Sequence, residues 1–269
     1  MLHLLKDGEE DGEKDLTLLE LVAKIKAQYE EIQPDLTNKK ALKKAINELK
    51  QEIKARSSKD KKEKGKEDKN KEKETPSSNT EYYLQTNKEG DWIKFLALIM
   101  CAVKHVNQFI PRDTQLIAML VFFDSFNKDK GRLANIATSE GKSLVTQMLS
   151  VACALRGEQV DILTSSKELA ERDAETAKPL LNLFGIQVTN NCDMQCDDSE
   201  GVRRARYAEN QVIYGDAGSF QKDLLLTRHF DRDIRKKSGT RLLLDEVDLM
   251  FIGNADRTLY ISHDLDDFV

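Results

Sequence analysis

Between Lys59 and Glu74, fourteen of sixteen residues are charged, eight basic and six acidic. Such a run cannot bury enough apolar surface to offset the entropy lost on ordering. A solvated link is therefore expected there, continuing through Pro76-Ser77-Ser78-Asn79. The run divides the chain. Residues 1–80 hold 19 basic and 18 acidic residues, whereas 81–269 hold 23 basic and 29 acidic residues and almost all the long apolar runs. The expected organisation is a helical extension over 1–57, a charged low-complexity linker over 58–80 and a core-forming domain over 81–269. A length of 269 residues suits one full-sized α/β domain with extensions, or two small domains.

Several classes drop out. No apolar run approaches the roughly 20 residues that a membrane span needs; the longest, Trp92 to Val106, is interrupted by Lys94 and Lys104. Met1–Leu5 runs straight into Lys6, Asp7, Gly8, Glu9 and Glu10, so no export signal is expected. Four cysteines do not make a disulfide scaffold in a chain of this size, and a reducing compartment is expected. The net charge of −6 over 81–269 weighs mildly against a protein that tracks a nucleic-acid backbone.

In the first third, Leu18, Leu21, Val22, Ile25, Tyr29 and Ile32 recur at helical spacing, and Pro34 stops the pattern. A second helix is expected after Asp35 or Thr37, with Leu42, Ile46, Leu49 and Ile53 as a narrow apolar stripe. Two readings stand: a coiled-coil or partner-binding helix, and a helical hairpin laid on the neighbouring domain. The second is favoured, because fewer than three heptads make a short coiled coil.

Beyond the linker a buried helix is expected over Trp92–Asn107. Then β-type runs alternate with helical stretches. The runs are Leu133–Ala137, Val160–Thr164, Ile186–Thr189, Gln211–Tyr214, Thr240–Leu244 and Thr258–Ser262. The helices are expected over Lys142–Leu155, Ser166–Leu183 and Gly201–Ala208. This alternation predicts an α/β domain with a parallel sheet covered by helices.

The chemistry falls at two strand ends. After Leu133–Ala137 comes Thr138-Ser139-Glu140-Gly141-Lys142-Ser143, opening an apolar helix. Backbone N–H groups and the positive helix end suit a nucleotide phosphate, Lys142 adds a point charge, and the Ser143 hydroxyl can reach Mg²⁺. Ile136 stands where the strict pattern has an earlier glycine. The second element is Leu242-Leu243-Leu244-Asp245-Glu246-Val247-Asp248, an apolar strand ending in adjacent acids. In P-loop nucleotidases such an aspartate holds Mg²⁺ and the next glutamate polarises the attacking water. Either element alone is a frequent accident. Their order on an alternating α/β pattern favours nucleotide binding over an acidic helix start.

Residues 92–263 resemble the first nucleotide-binding, DEAD-like motor domain of the SecA preprotein translocase ATPases, and are most similar to SecA-like modules of large eukaryotic proteins. Pro111–Leu116 is similar to the family's Q-motif, and Thr138–Ser143 to its phosphate loop, which also lacks the early glycine. Leu163–Ser165 with Leu169–Glu175, then Ile213–Gly215, then Asp245–Asp248 follow in family order. The resemblance implies a RecA-like P-loop domain binding ATP and Mg²⁺. It places Gln115 on adenine, Thr138, Ser139, Glu140, Gly141, Lys142 and Ser143 around the phosphates, Ser143 and Asp245 on Mg²⁺, and Glu246 as the catalytic residue that orients water. It implies ATP hydrolysis linked to protein translocation and targeting. Its partners would be ATP with a polypeptide substrate or a second motor domain in trans. No specific nucleic acid is expected, and the setting implied is cytoplasmic, peripheral to a membrane at most.

The departures carry their own expectations. Ser139 stands where the family has glycine, which adds strain if that position needs a positive φ. Gly253 replaces an aspartate. No second motor domain fits before Val269, so weak hydrolysis by the isolated chain is expected. The alternatives are a degenerate nucleotide-binding scaffold, a DEAD-type RNA helicase fragment (disfavoured by Val247, where that class has alanine) and an interaction protein working through Leu42–Ile53. Cys192 and Cys196 are expected to be free thiols, because no further Cys or His is close enough in sequence for a four-ligand zinc site. Cys101 and Cys153 are expected in the core, and His229–Asp233 in a polar surface turn.

Overall fold

A computed structural model of the chain describes residues 18–64, 89–127, 131–137, 139–235 and 240–248. Two helices come first. α1 (Leu18–Ile32) buries Val22 and Ile25, and the chain then passes through a single 3-10 turn containing Pro34. α2 (Lys39–Lys64) starts at Asn38, whose side-chain oxygen accepts from the Ala41 N–H; this satisfies a donor that a helix start leaves unpaired. Leu42, Ile46 and Leu49 are buried in the same core as the rest of the chain, and Lys50 donates to the carbonyl of Phe184. The stripe therefore packs inward. The Ile53 side chain lies outside the described residues, and α2 carries the first six residues of the charged run as helix.

α3 (Glu89–Asn107) is the central helix. Every residue from Phe95 to Val103 is buried, as expected of a helix apolar on all sides. α1 and α2 pack on it. α4 (Asp113–Asn127) packs on α5 (Lys142–Leu155). The alternating part follows: β1 (Gln159–Thr164), α6 (Lys167–Leu183), β2 (Val188–Asn190), α7 (Met194–Asp198), α8 (Glu200–Glu209), β3 (Val212–Asp216), α9 (Ala217–Arg228) and β4 (Thr240–Leu244).

The four strands form one parallel sheet in the order β2-β3-β1-β4. Successive strand residues face opposite sides. Val212 and Tyr214 of β3 accordingly join the main core, while Ile213 joins a smaller cluster with Tyr207, Phe220 and Ile234. A buried polar group supports that second layer. Arg203 of α8 pairs with Asp223 of α9, and Asp223 also accepts from Tyr207 Oη at 2.7 Å and Asn191 Nδ2 at 2.8 Å. Buried charges persist only when paired in this way.

One expected strand is not formed. Residues 133–137 are irregular, with Leu133 81% exposed while Ile136 packs against the core. The reason is spacing. Residues three apart lie on opposite faces of a strand, so Leu133 and Ile136 cannot share one, and Ala134, Asn135 and Ala137 are poor strand formers. Among the described residues β4 is thus an edge strand. The expected strand Thr258–Ser262 and the position of Gly253 lie outside the described residues.

Candidate functional site

In a parallel sheet all the strands end on one side, and ligands bind there. β1 and β4 are adjacent, with Leu163 opposite Leu244, and the Asp245 N–H donates to the Leu163 carbonyl at 2.9 Å. That bond extends the ladder one residue and sets Asp245 and Glu246 beside the residues that follow β1. The N-terminus of α5 opens on the same region. Its cap is Gly141 at φ 78, and no side chain caps the helix, so its first-turn donors face outward for an anion.

The result is a cleft of about 230 Å³. Ser139, Gly141, Lys142 and Ser143 form one wall, Asp245 and Glu246 another, and Thr164, Ser165, Arg172 and Asp173 a third. Partial burial pushes the Asp245 carboxyl above its ordinary pKa; Glu246 adds to the rise, and Lys142 pulls it back. Ser143 and Asp245 supply a hydroxyl and a carboxylate to one small cleft. Hard oxygen donors of this kind fit Mg²⁺, which keeps several of its waters.

Gln115 stands behind the loop. It is 6% exposed, its Oε1 accepts from the Arg112 N–H at 2.9 Å, and its Nε2 donates to the Glu140 carbonyl at 2.8 Å. Arg112 also pairs with the Glu140 carboxylate at 2.9 Å. Of the loop residues, Glu140 therefore faces α4, while Ser139, Gly141, Lys142 and Ser143 face the cleft. Thr138 lies outside the described residues. Ser139 has φ 66, so the loop does demand a left-handed residue where this chain has serine.

Sequence reasoning about the site overlooks Ser165, Arg172 and Asp173. Arg172 donates from Nε to Asp173 Oδ1 at 2.9 Å on the first half of α6. Their only sequence traces are the Leu163–Ser165 and Leu169–Glu175 stretches, which carry the resemblance but have no chemistry legible in their spacing. Elsewhere, Cys192 and Cys196 are buried free thiols, as are Cys101 and Cys153. Among the described residues no group of three or more Cys, His, Asp or Glu side chains is arranged to hold a metal ion, and no helix is long and apolar enough to cross a membrane.

Parallel sheet, flanking helices and glycine-capped cleft are those of a RecA-like P-loop domain, the nucleotide-binding half-unit of many motors. Comparison with known proteins carries this further: residues 9–268 match the SecA DEAD-like domain, and the chain belongs to that family. The match includes the N-terminal helices as well as the α/β part. Among curated relatives, the chain is 34% identical over 149 residues to protein translocase subunit SecA 2 of Thermobifida fusca, covering 55% of this chain and 17% of that protein. It is 32% identical over 181 residues to SecA 2 of Listeria welshimeri, covering 65% and 21%. With SecA of Helicobacter pylori the identity is 30% over 168 residues, covering 61% and 18%. The chain spans about a fifth of the length of these relatives. They are bacterial, and nothing in them supports a closer likeness to SecA-like modules of large eukaryotic proteins. The chain is a SecA-like motor domain of the ATP-binding kind, related to protein-translocation machinery.

Proposed function

We propose that the cleft binds Mg·ATP and hydrolyses it slowly. The observation that carries this reading is the meeting of Lys142, Ser143, Asp245 and Glu246, a hundred residues apart in sequence, around one cleft of about 230 Å³. Lys142 and the first N–H groups of α5 hold the β- and γ-phosphates, with Ser139 and Gly141 shaping the turn. Ser143 and Asp245 hold Mg²⁺, which neutralises phosphate charge when bound. Glu246 orients the attacking water. Gln115 braces the loop through Glu140, and the resemblance assigns it to adenine and Thr138 to the phosphates.

Slow turnover follows from exposure. Glu246 is solvent-exposed, and charges in a wet cleft act more weakly than in a closed one. A closing arginine in trans, from a second motor domain, would be worth about 10³–10⁵ in rate. In this reading hydrolysis serves movement of a polypeptide, as the names of the translocase relatives suggest, by a cytoplasmic protein at most peripheral to a membrane. Family membership supports a polypeptide over an RNA strand as the moved substrate. The division at 57/58 and 80/81 belongs to the same proposal; the burial of α1 and α2 in the main core supports close association of the first part with the third.

The test compares phosphate release under excess ATP with binding of a fluorescent ATP analogue. Glu246→Gln should lower the slow release to a smaller residual rate and spare binding. Release unaffected by Glu246→Gln would remove the glutamate from the mechanism.

A further inference from the structure

The last residue before the cap of α6 and the second acid after β4 meet across the mouth of the cleft. Ser165 Oγ donates to Glu246 Oε2 at 2.8 Å, and both residues line the cleft. The two are brought together by the strand register. Leu163 lies opposite Leu244 and the Asp245 N–H bonds the Leu163 carbonyl, so Ser165 and Glu246 fall level one step beyond the ladder. Ser165 is free to make this bond because the capping work is done by its neighbour: Ser166 Oγ accepts from the Leu169 N–H.

Glu246 needs such a restraint. It is exposed and sits in the left-handed region at φ 54, which a glutamate adopts only when its surroundings require it. A glutamate free in solvent samples many rotamers, and most would carry its carboxylate away from the cleft. The serine bond fixes one oxygen and leaves Oε1 to accept from a water. Asp245 holds the other side of the turn: its Oδ1 accepts from the Glu246 N–H at 3.0 Å.

We infer that Ser165 is a positioning residue for hydrolysis: it clamps the Glu246 carboxylate so that its second oxygen orients the attacking water. This rests on the reading of Glu246 as the water-orienting residue, and the test separates the two. Steady-state phosphate release by the full chain is measured for wild type, Ser165→Ala, Ser165→Thr, Glu246→Gln and the Ser165→Ala/Glu246→Gln double variant, with Mg·ATP affinity for each. Ser165→Ala should lower kcat about tenfold, the factor expected for loss of a hydrogen bond to a charged group, with KM and affinity unchanged. Ser165→Thr keeps the hydroxyl and should retain most of the rate. In the Glu246→Gln background, Ser165→Ala should have no further effect, since it acts only through the glutamate.

A drop with Glu246→Gln but a wild-type rate in Ser165→Ala would overturn this inference and leave the role of Glu246 standing. Parallel losses of affinity and rate in Ser165→Ala, or additive losses in the double variant, would overturn it by showing a structural role. No effect of Glu246→Gln would overturn both.

Discussion

Gln115 Nε2 donates to the backbone carbonyl of Glu140 at 2.8 Å, pinning the turn that precedes α5 to the first turn of α4. The adjacent Gly141 makes this approach possible: a Cβ there would stand 2.3 Å from Gln115 Nε2. The loop is thus shaped from behind by a side chain that is itself buried. Gln115→Ala should leave the Glu140 carbonyl and the Arg112 N–H without their partner and lower Mg·ATP affinity about tenfold. Titration with a fluorescent analogue measures it, and an unchanged affinity would mean that the loop holds its shape unaided.

Ser139 sits at φ 66, a conformation that costs a non-glycine residue about 1 kcal/mol or more. Ser139→Gly should relieve that strain, so urea denaturation should show a gain of about 1 kcal/mol, reduced in part by the greater freedom of glycine in the unfolded chain. Nucleotide binding should tighten as well. A loss of stability would show that the serine side chain contributes more than its backbone costs.

Two glycines allow a controlled comparison. A Cβ on Gly215 would stand 2.0 Å from Asn191 Oδ1 and 2.9 Å from a Phe220 ring carbon, whereas one on Gly131 would meet nothing within 4 Å. Gly215→Ala should therefore displace Asn191 from the Arg203–Asp223–Tyr207 network and destabilise the protein by about 3 kcal/mol. Gly131→Ala should be close to neutral. Thermal melts of the two variants side by side check the contrast.

The cysteines give a pH-dependent prediction. Burial raises all four thiols: Cys101 and Cys196 to about 11, Cys192 to about 12, and Cys153 further. The thiolate is the reactive form, so alkylation of the native protein at pH 8 should be slower than in urea by about 200-fold or more. Because the folded values lie above the unfolded ones, the associated stability is fully present at pH 7 and declines as pH rises beyond about 9, where the unfolded chain ionises first. Rapid labelling of native Cys192 or Cys196 at pH 8 would contradict their burial.

Much of the α/β part is legible in the sequence, and the reasons are particular. α5 and β4 match their expected bounds because Gly141-Lys142-Ser143 marks the start of the one, and Leu242–Leu244 running into Asp245-Glu246 marks the end of the other. α6 is marked by Ser166, which caps it as its position suggests. By contrast α9 has no capping residue that stands apart from the preceding element: its cap is Asp216, the last residue of β3. The strand expected over Leu133–Ala137 fails because its two large apolar residues, Leu133 and Ile136, are three apart and would fall on opposite faces of a strand. At the site, Gly141-Lys142-Ser143 and Asp245-Glu246 are legible because phosphate and Mg²⁺ chemistry needs those residue types at strand ends. The positions of Ser165, Arg172 and Asp173 are not legible, since only the β1–β4 register brings β1 and the start of α6 to the acids.

If the cleft holds Mg·ATP through Lys142, isothermal titration of Mg·ATP into wild type and Lys142→Ala will separate the two proteins. Lys142 lines the cleft on the first residue of α5, and Arg172 on the α6 wall is the other cation among the described residues that line it. Loss of a charge-assisted phosphate contact should weaken binding by about tenfold or more, with the melting temperature of the ligand-free protein unchanged. Equal affinities in the two proteins, or no heat of binding in either, would remove Lys142 and this cleft from nucleotide binding.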